Sequence, residues 1–198
     1  MNNQKFFTTR NVVYLAVLTT LLVVLNLLGT VFKIVTNVNL TLIPIVLGAL
    51  TLGVKGGFIL GFISGLMTFI FGVTGLDPFT NFLFTEHPVL TFLICTVKIT
   101  LGAVLGAIAY KLLKNKNKYL ATFVSSAVVP VVNTLIFILG ALLMSETISV
   151  LSSAEGVSVI YFLVIICAGV NFLIEFGINI LVAPAIHTVI QVVDKQLI

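Results

Sequence analysis

The stretch "GVNFLIEFGINILVAP", residues 169–184, carries Asn171, Glu175 and Asn179 at intervals of four. That spacing places a carboxylate and two amides on one face of a helix. A carboxylate accepts from cations and hydroxyls, and an amide both donates and accepts. Lys98 stands inside another apolar run, and Asn133 and Thr134 stand inside a third. At 1.5 Å per residue, Lys98, Asn133, Thr134, Asn171 and Glu175 lie roughly 15 to 25 Å along their helices from the same side. Three segments thus present polar groups at matching depth. A charge left facing hydrocarbon costs roughly 2.5–3.5 kcal/mol on insertion scales. Two arrangements relieve that cost. In one, Lys98 and Glu175 pair, and the asparagines satisfy backbone carbonyls freed near Pro130 and Pro184. In the other, Lys98, Asn133, Thr134, Asn171 and Glu175 form the floor of a cavity open to the outside and bind a solute there. The two are compatible if a solute carboxylate takes the lysine from the pair.

The elements that must position these groups follow from composition. The chain has 198 residues, of which 60% are hydrophobic and 8% charged. Soluble domains carry about 25% charged residues. So little polar surface cannot cover a water-soluble globule, and the reading is one integral membrane domain, all-α, over 1–198. Apolar runs predict six transmembrane helices at about 11–29, 40–52, 58–73, 89–110, 120–144 and 159–190. The first run is too long for a signal peptide and reads as an uncleaved helix. The second is marginal for a span of roughly 20 residues and is expected to be partly re-entrant or interfacial. "GVKGG" is expected to turn the chain, and Pro130 to kink the fifth helix. The loop "DPFTNFLFTEHP" carries Asn81, Thr85 and His87 and reads as a candidate lid, with Asn81 a candidate solute contact. His87, just before Pro88, is expected to cap a helix start, and His187 to be interfacial.

Loop charge predicts orientation. Six spans put Lys5, Arg10, Lys55, Lys111, Lys114, Lys116, Lys118 and Lys195 on one side and only Lys33 on the other. Basic residues stay cytoplasmic. Both termini are therefore expected in the cytoplasm. The net charge of +4 needs no nucleic-acid partner, since the basic residues stand where orientation and anionic lipid headgroups want them.

Gly57, Gly61 and Gly65 step by four, as do Gly102 and Gly106. Such faces let helices approach closely. They read as internal packing, with a docking face for another membrane protein as the alternative. Ala16 and Thr20 make a similar small pair in the first helix. Cys95 and Cys167 read as small buried hydrophobes. Catalytic signatures are missing. "GFISG" has its serine one position late for a nucleophile elbow, and there is no HExxH and no GxxxxGK[ST]. If ATP drives transport here, other chains must bind it.

The chain resembles the substrate-binding S components of energy-coupling-factor (ECF) vitamin transporters over nearly its whole length. "LTLIPIVLGALTLGVKGGFILGFISGLMTFIFG" looks like the family's signature of a proline-led helix, a G-x-K-x-G turn and a glycine-stepped helix. "VVPVVNTLIFILG" and "NFLIEFGINILVAPAI" are similar to the pantothenate-type members. The resemblance implies a vitamin-binding subunit of the cell membrane, from a bacterium, that is not an enzyme and binds no cofactor itself. It implies partners in a transmembrane coupling subunit and two ATPase subunits that use the ATP, with the S component toppling in the bilayer during transport. It also implies docking through an AxxxA motif, whose positions here are Ala16 and Thr20. Pantothenate would place its carboxylate on Lys98 and its amide and hydroxyls on Asn133, Asn171 and Glu175. Without Trp, and with four Tyr, the chain looks less suited to stacking riboflavin or folate, although its Phe side chains could stack. Pyridoxine or a thiamin precursor remain alternative vitamins. A stand-alone secondary transporter coupled through Lys98 and Glu175, or a structural subunit that binds nothing, are the readings from other classes.

Overall fold

A computed structural model of the protein describes residues 6–29 and 39–195. Lys5 and Lys33 of the charge count lie outside the described residues. The helices are α1 (Thr9–Gly29), α2 (Leu42–Thr51), α3 (Gly53–Val73), α4 (Pro78–Glu86), α5 (Pro88–Leu113), α6 (Lys118–Leu142) and α7 (Ser145–Ala154). A short α8 (Val159–Tyr161), a π-helical segment (Phe162–Gly169) and α9 (Val170–Lys195) then run on from one another. No strand occurs among the described residues.

Among the described residues, five helices are long and apolar enough to cross a membrane: α1, α3, α5, α6 and the stretch Val159–Val193. The chain is thus a multi-pass membrane protein. α2 has only 10 residues, about 15 Å of helix. That is half of a hydrocarbon core of about 30 Å, so α2 is a short apolar helix beside five full-length ones.

Three segments differ from the sequence reading. α3 begins at Gly53, five residues before the expected start, because the turn is confined to Gly53. Its φ of 70° is one that glycine alone adopts cheaply, and Lys55, Gly56 and Gly57 are already helical. The expected lid loop forms α4. Asp77 caps it by accepting from the Thr80 N–H, and Pro78 occupies the first turn, where its missing N–H costs nothing. The last loop likewise forms α7. His87 does precede α5, but its side chain makes no capping bond. Its Nε2 stands 3.0 Å from Thr147 Oγ1, tying the start of α5 to α7.

α5 packs along both α3 and α6, and glycines set those distances. A Cβ at Gly61 would come within 2.8 Å of Thr100 Cα, and one at Gly65 within 2.6 Å of Thr96 Cα. A Cβ at Gly102 would lie 3.0 Å from the Val129 carbonyl oxygen. These glycine faces are occupied inside the molecule. The pairings also run antiparallel, so Lys55 and the α5–α6 turn share one end. Thr122 Oγ1 lies 3.4 Å from His187 Nδ1, which brings the last turns of α9 to that same lysine-rich end. Most buried apolar side chains among the described residues fall into two clusters. One holds Leu60, Ile99, Val129 and Ile186 toward the lysine-rich end. The other holds Phe79, Ile94, Ala141 and Cys167 toward α4 and α7.

Candidate functional site

The polar layer lies between those two clusters. Along α5 it is Lys98, between Ile94 and Ile99. Along α6 it is Asn133 and Thr134, between Val129 and Ala141. Along the last helix it is Asn171 and Glu175, between Cys167 and Ile186. All five polar side chains line one partly open cavity of about 80 Å³. Interrupting the apolar core at one level on three helices is what leaves the hollow there. Asn133, Asn171 and Glu175 are buried, with 5–6% of their surface exposed.

Lys98 and Glu175 do not pair. Among the described residues no carboxylate comes within ion-pair distance of Lys98. Its Nζ instead lies 5.1 Å from the centroid of the Phe137 ring, a cation–π contact. Glu175 Oε1 accepts from the Asn39 backbone N–H at 2.9 Å. Asn39 in turn accepts from the Thr41 hydroxyl, and Thr41 Oγ1 meets Ser64 Oγ at 2.9 Å. This network joins α9, the segment before α2, and α3 beside the cavity. The asparagines bond within their own helix. Asn171 Nδ2 donates to the Cys167 carbonyl at 3.3 Å, and Asn179 Nδ2 to the Glu175 carbonyl at 2.8 Å. Asn133 Oδ1 is a buried acceptor with no hydrogen-bond partner among the described residues. A buried polar atom left unpaired costs about 1–3 kcal/mol, which a solute donor would recover.

The arrangement therefore offers a half-buried ammonium, an amide acceptor and a carboxylate around one hollow, with Phe71, Phe79, Phe137 and Phe172 as its apolar walls. That is the make-up of a small-molecule site, apolar walls with a few convergent polar groups. Among the described residues no histidine lines it. Ser64 and His187 have separate partners, Thr41 and Thr122. A family model described as "ECF transporter, substrate-specific component" matches residues 10–187. The chain belongs to that family. No curated protein and no solved structure matches it. As an ECF substrate-specific component, it is a binding subunit of a transporter and not an enzyme, which implies a small-molecule substrate and ECF module partners.

The remaining candidate of this ECF component, Asn81, is not at the cavity. Its Nδ2 donates to the Gly72 carbonyl at 2.8 Å and so pins α4 to the end of α3. Ala16 and Thr20 are both exposed on α1, with Thr20 Oγ1 donating to the Ala16 carbonyl at 3.0 Å. Cys95 and Cys167 are buried free thiols. The sequence reading missed Asn39, Thr41, Asp77 and Thr80, which also line the cavity. For two of them a signal was available. Asp77-Pro78-Phe79-Thr80 has an acidic residue, then proline at the first helical position, the usual opening of a helix. Recognising α4 would have brought Asp77 and Thr80 to the mouth of the layer. Asn39 gives no local sign, because its role depends on Glu175, 136 residues away.

Proposed function

We propose that the chain captures a vitamin for an ATP-driven importer of the bacterial cell membrane, and that the vitamin is pantothenate. The observation that carries this reading is Lys98, a cation facing the cavity with no carboxylate partner among the described residues. A solute carboxylate would supply that partner. The amide and hydroxyls of pantothenate match the remaining groups, with Asn133 Oδ1 accepting from one of them and Glu175, Thr134 and Asn171 completing the shell. The cavity is small beside the roughly 300–1,000 Å³ of pockets that enclose drug-sized ligands. Pantothenate would therefore use the open mouth as well, or enter as the walls part.

The lysine-rich end is then cytoplasmic, by the loop-charge rule, and the solute would enter the cavity from the opposite, outer side. Transport would need a coupling subunit docked on α1 through Ala16 and Thr20, with two ATPase subunits behind it. The test is mass spectrometry of the solute that co-purifies with the chain, followed by pantothenate binding to the detergent-purified protein. Another vitamin in the cavity would replace pantothenate in the reading. Uptake by the chain without partner ATPases would replace the importer with a secondary transporter. The docking face has its own check. Thr20→Phe should leave pantothenate affinity unchanged yet prevent recovery of the complex with the coupling subunit; a normal yield of complex would remove α1 as the docking surface.

A further inference from the structure

Asp77 is the N-cap residue of α4. It is buried, 5% exposed, and lines the cavity. Its hydrogen bonds come from a single residue. Oδ1 accepts from the Thr80 N–H at 3.4 Å, and Oδ2 from the Thr80 hydroxyl at 2.6 Å. Among the described residues it has no ion pair. Capping α4 does not require the charge, because Asn and Ser cap helices about as well as Asp. A buried carboxylate is costly unless paired or well hydrogen-bonded, and two bonds leave part of its acceptor capacity, about four sites, unused in a residue that lines the cavity. α4 is held in place independently, by Asn81 on the Gly72 carbonyl and by close contact between Gly72 and Thr80.

We propose that Asp77 is a solute-binding residue that accepts a hydrogen bond from a hydroxyl of the substrate and so selects hydroxylated carboxylates. The substrate would span the cavity with its carboxylate on Lys98 and its hydroxyl on Asp77. This rests on the site reading above and adds to it the choice among carboxylates. A hydroxyl donated to a buried carboxylate is among the stronger neutral–ionic hydrogen bonds, and an analogue without it leaves Asp77 desolvated and unpaired.

The experiment measures binding of pantothenate, its dideoxy analogue (both hydroxyls replaced by hydrogen) and pyridoxine to the purified chain and to Asp77→Asn and Asp77→Ser. Both variants keep a capping side chain, and size-exclusion profiles check that they fold. The chain is expected to prefer pantothenate over the dideoxy analogue by roughly 10- to 100-fold. Both variants should lose most of that preference by binding pantothenate more weakly, while their affinity for the dideoxy analogue is unchanged or higher. Pantothenate binding with the preference intact in both variants overturns the proposal and leaves the pantothenate reading standing. Binding of pyridoxine but not pantothenate, weakened tenfold or more in both variants, overturns the pantothenate reading and the carboxylate selection yet keeps Asp77 as a hydroxyl acceptor. Pyridoxine binding that the variants do not change, or no binding of any of the three, overturns both.

Discussion

Lys98→Met should abolish measurable capture of a carboxylate-bearing solute while leaving the helices folded. Methionine keeps the length and flexibility of the lysine stem and removes the charge. In the ligand-free protein that charge has no carboxylate partner among the described residues, so the fold does not depend on a pair. Its contact with the Phe137 ring is one that a thioether can also make. The bound state differs. A solute carboxylate brought to this depth without its cation is buried uncompensated, and truncating one partner of such a pair costs about 2–5 kcal/mol. The expected loss is therefore at least about 30-fold in affinity. Isothermal titration of the purified variant, with its size-exclusion profile beside it, gives the answer. Unchanged affinity for the carboxylated solute would refute the site.

Gly65→Leu should prevent the protein from accumulating as a folded species. A side chain at this position meets main chain rather than a flexible tip, with Thr96 Cα at 2.6 Å and the Cys95 carbonyl oxygen at 2.7 Å from the first added carbon. Relief requires α3 and α5 to part. Because α5 also packs on α6, parting them would spread the disturbance to the Lys98–Asn133 side of the cavity. Inserting bulk into a packed core costs about 1–3 kcal/mol where side chains can adjust, and a backbone clash stands at or above the top of that range. Gly177→Ala is the control. Nothing lies within 4 Å of its Cβ position, and alanine is the better helix former by about 1 kcal/mol. Thermal size-exclusion midpoints should show the Gly65 variant aggregated or absent and the Gly177 variant equal to or above the parent. A Gly65→Leu protein with a normal midpoint would show that α3 and α5 can part without unfolding the protein.

Much of the membrane architecture is legible in the residue order because it depends on local quantities. Apolar length decides which segments can cross a bilayer, and 1.5 Å per residue decides depth. Those two measures place Lys98, Asn133, Thr134, Asn171 and Glu175 at one level, and the structure gathers all five around one cavity. The shortness of α2 and the small buried cysteines were readable for the same reason. Asn81 shows the limit of such reasoning. Its neighbours and loop position resemble those of a solute contact, yet its amide is used to hold α4 on α3.

What only the tertiary structure decided is who faces whom. Whether Lys98 meets Glu175 depends on how helices far apart in sequence are rotated against one another. For α5, which carries Lys98, close backbone approach at Gly61, Gly65 and Gly102 fixes that rotation against α3 and α6. Long-range contacts likewise let Glu175 accept from Asn39 and bring α4, with Asp77 and Thr80, into the cavity wall. Periodicity and hydropathy act over a few residues and specify segments and faces. Hydrogen bonds and clashes between distant segments specify the partners on those faces, and the site is built from partners.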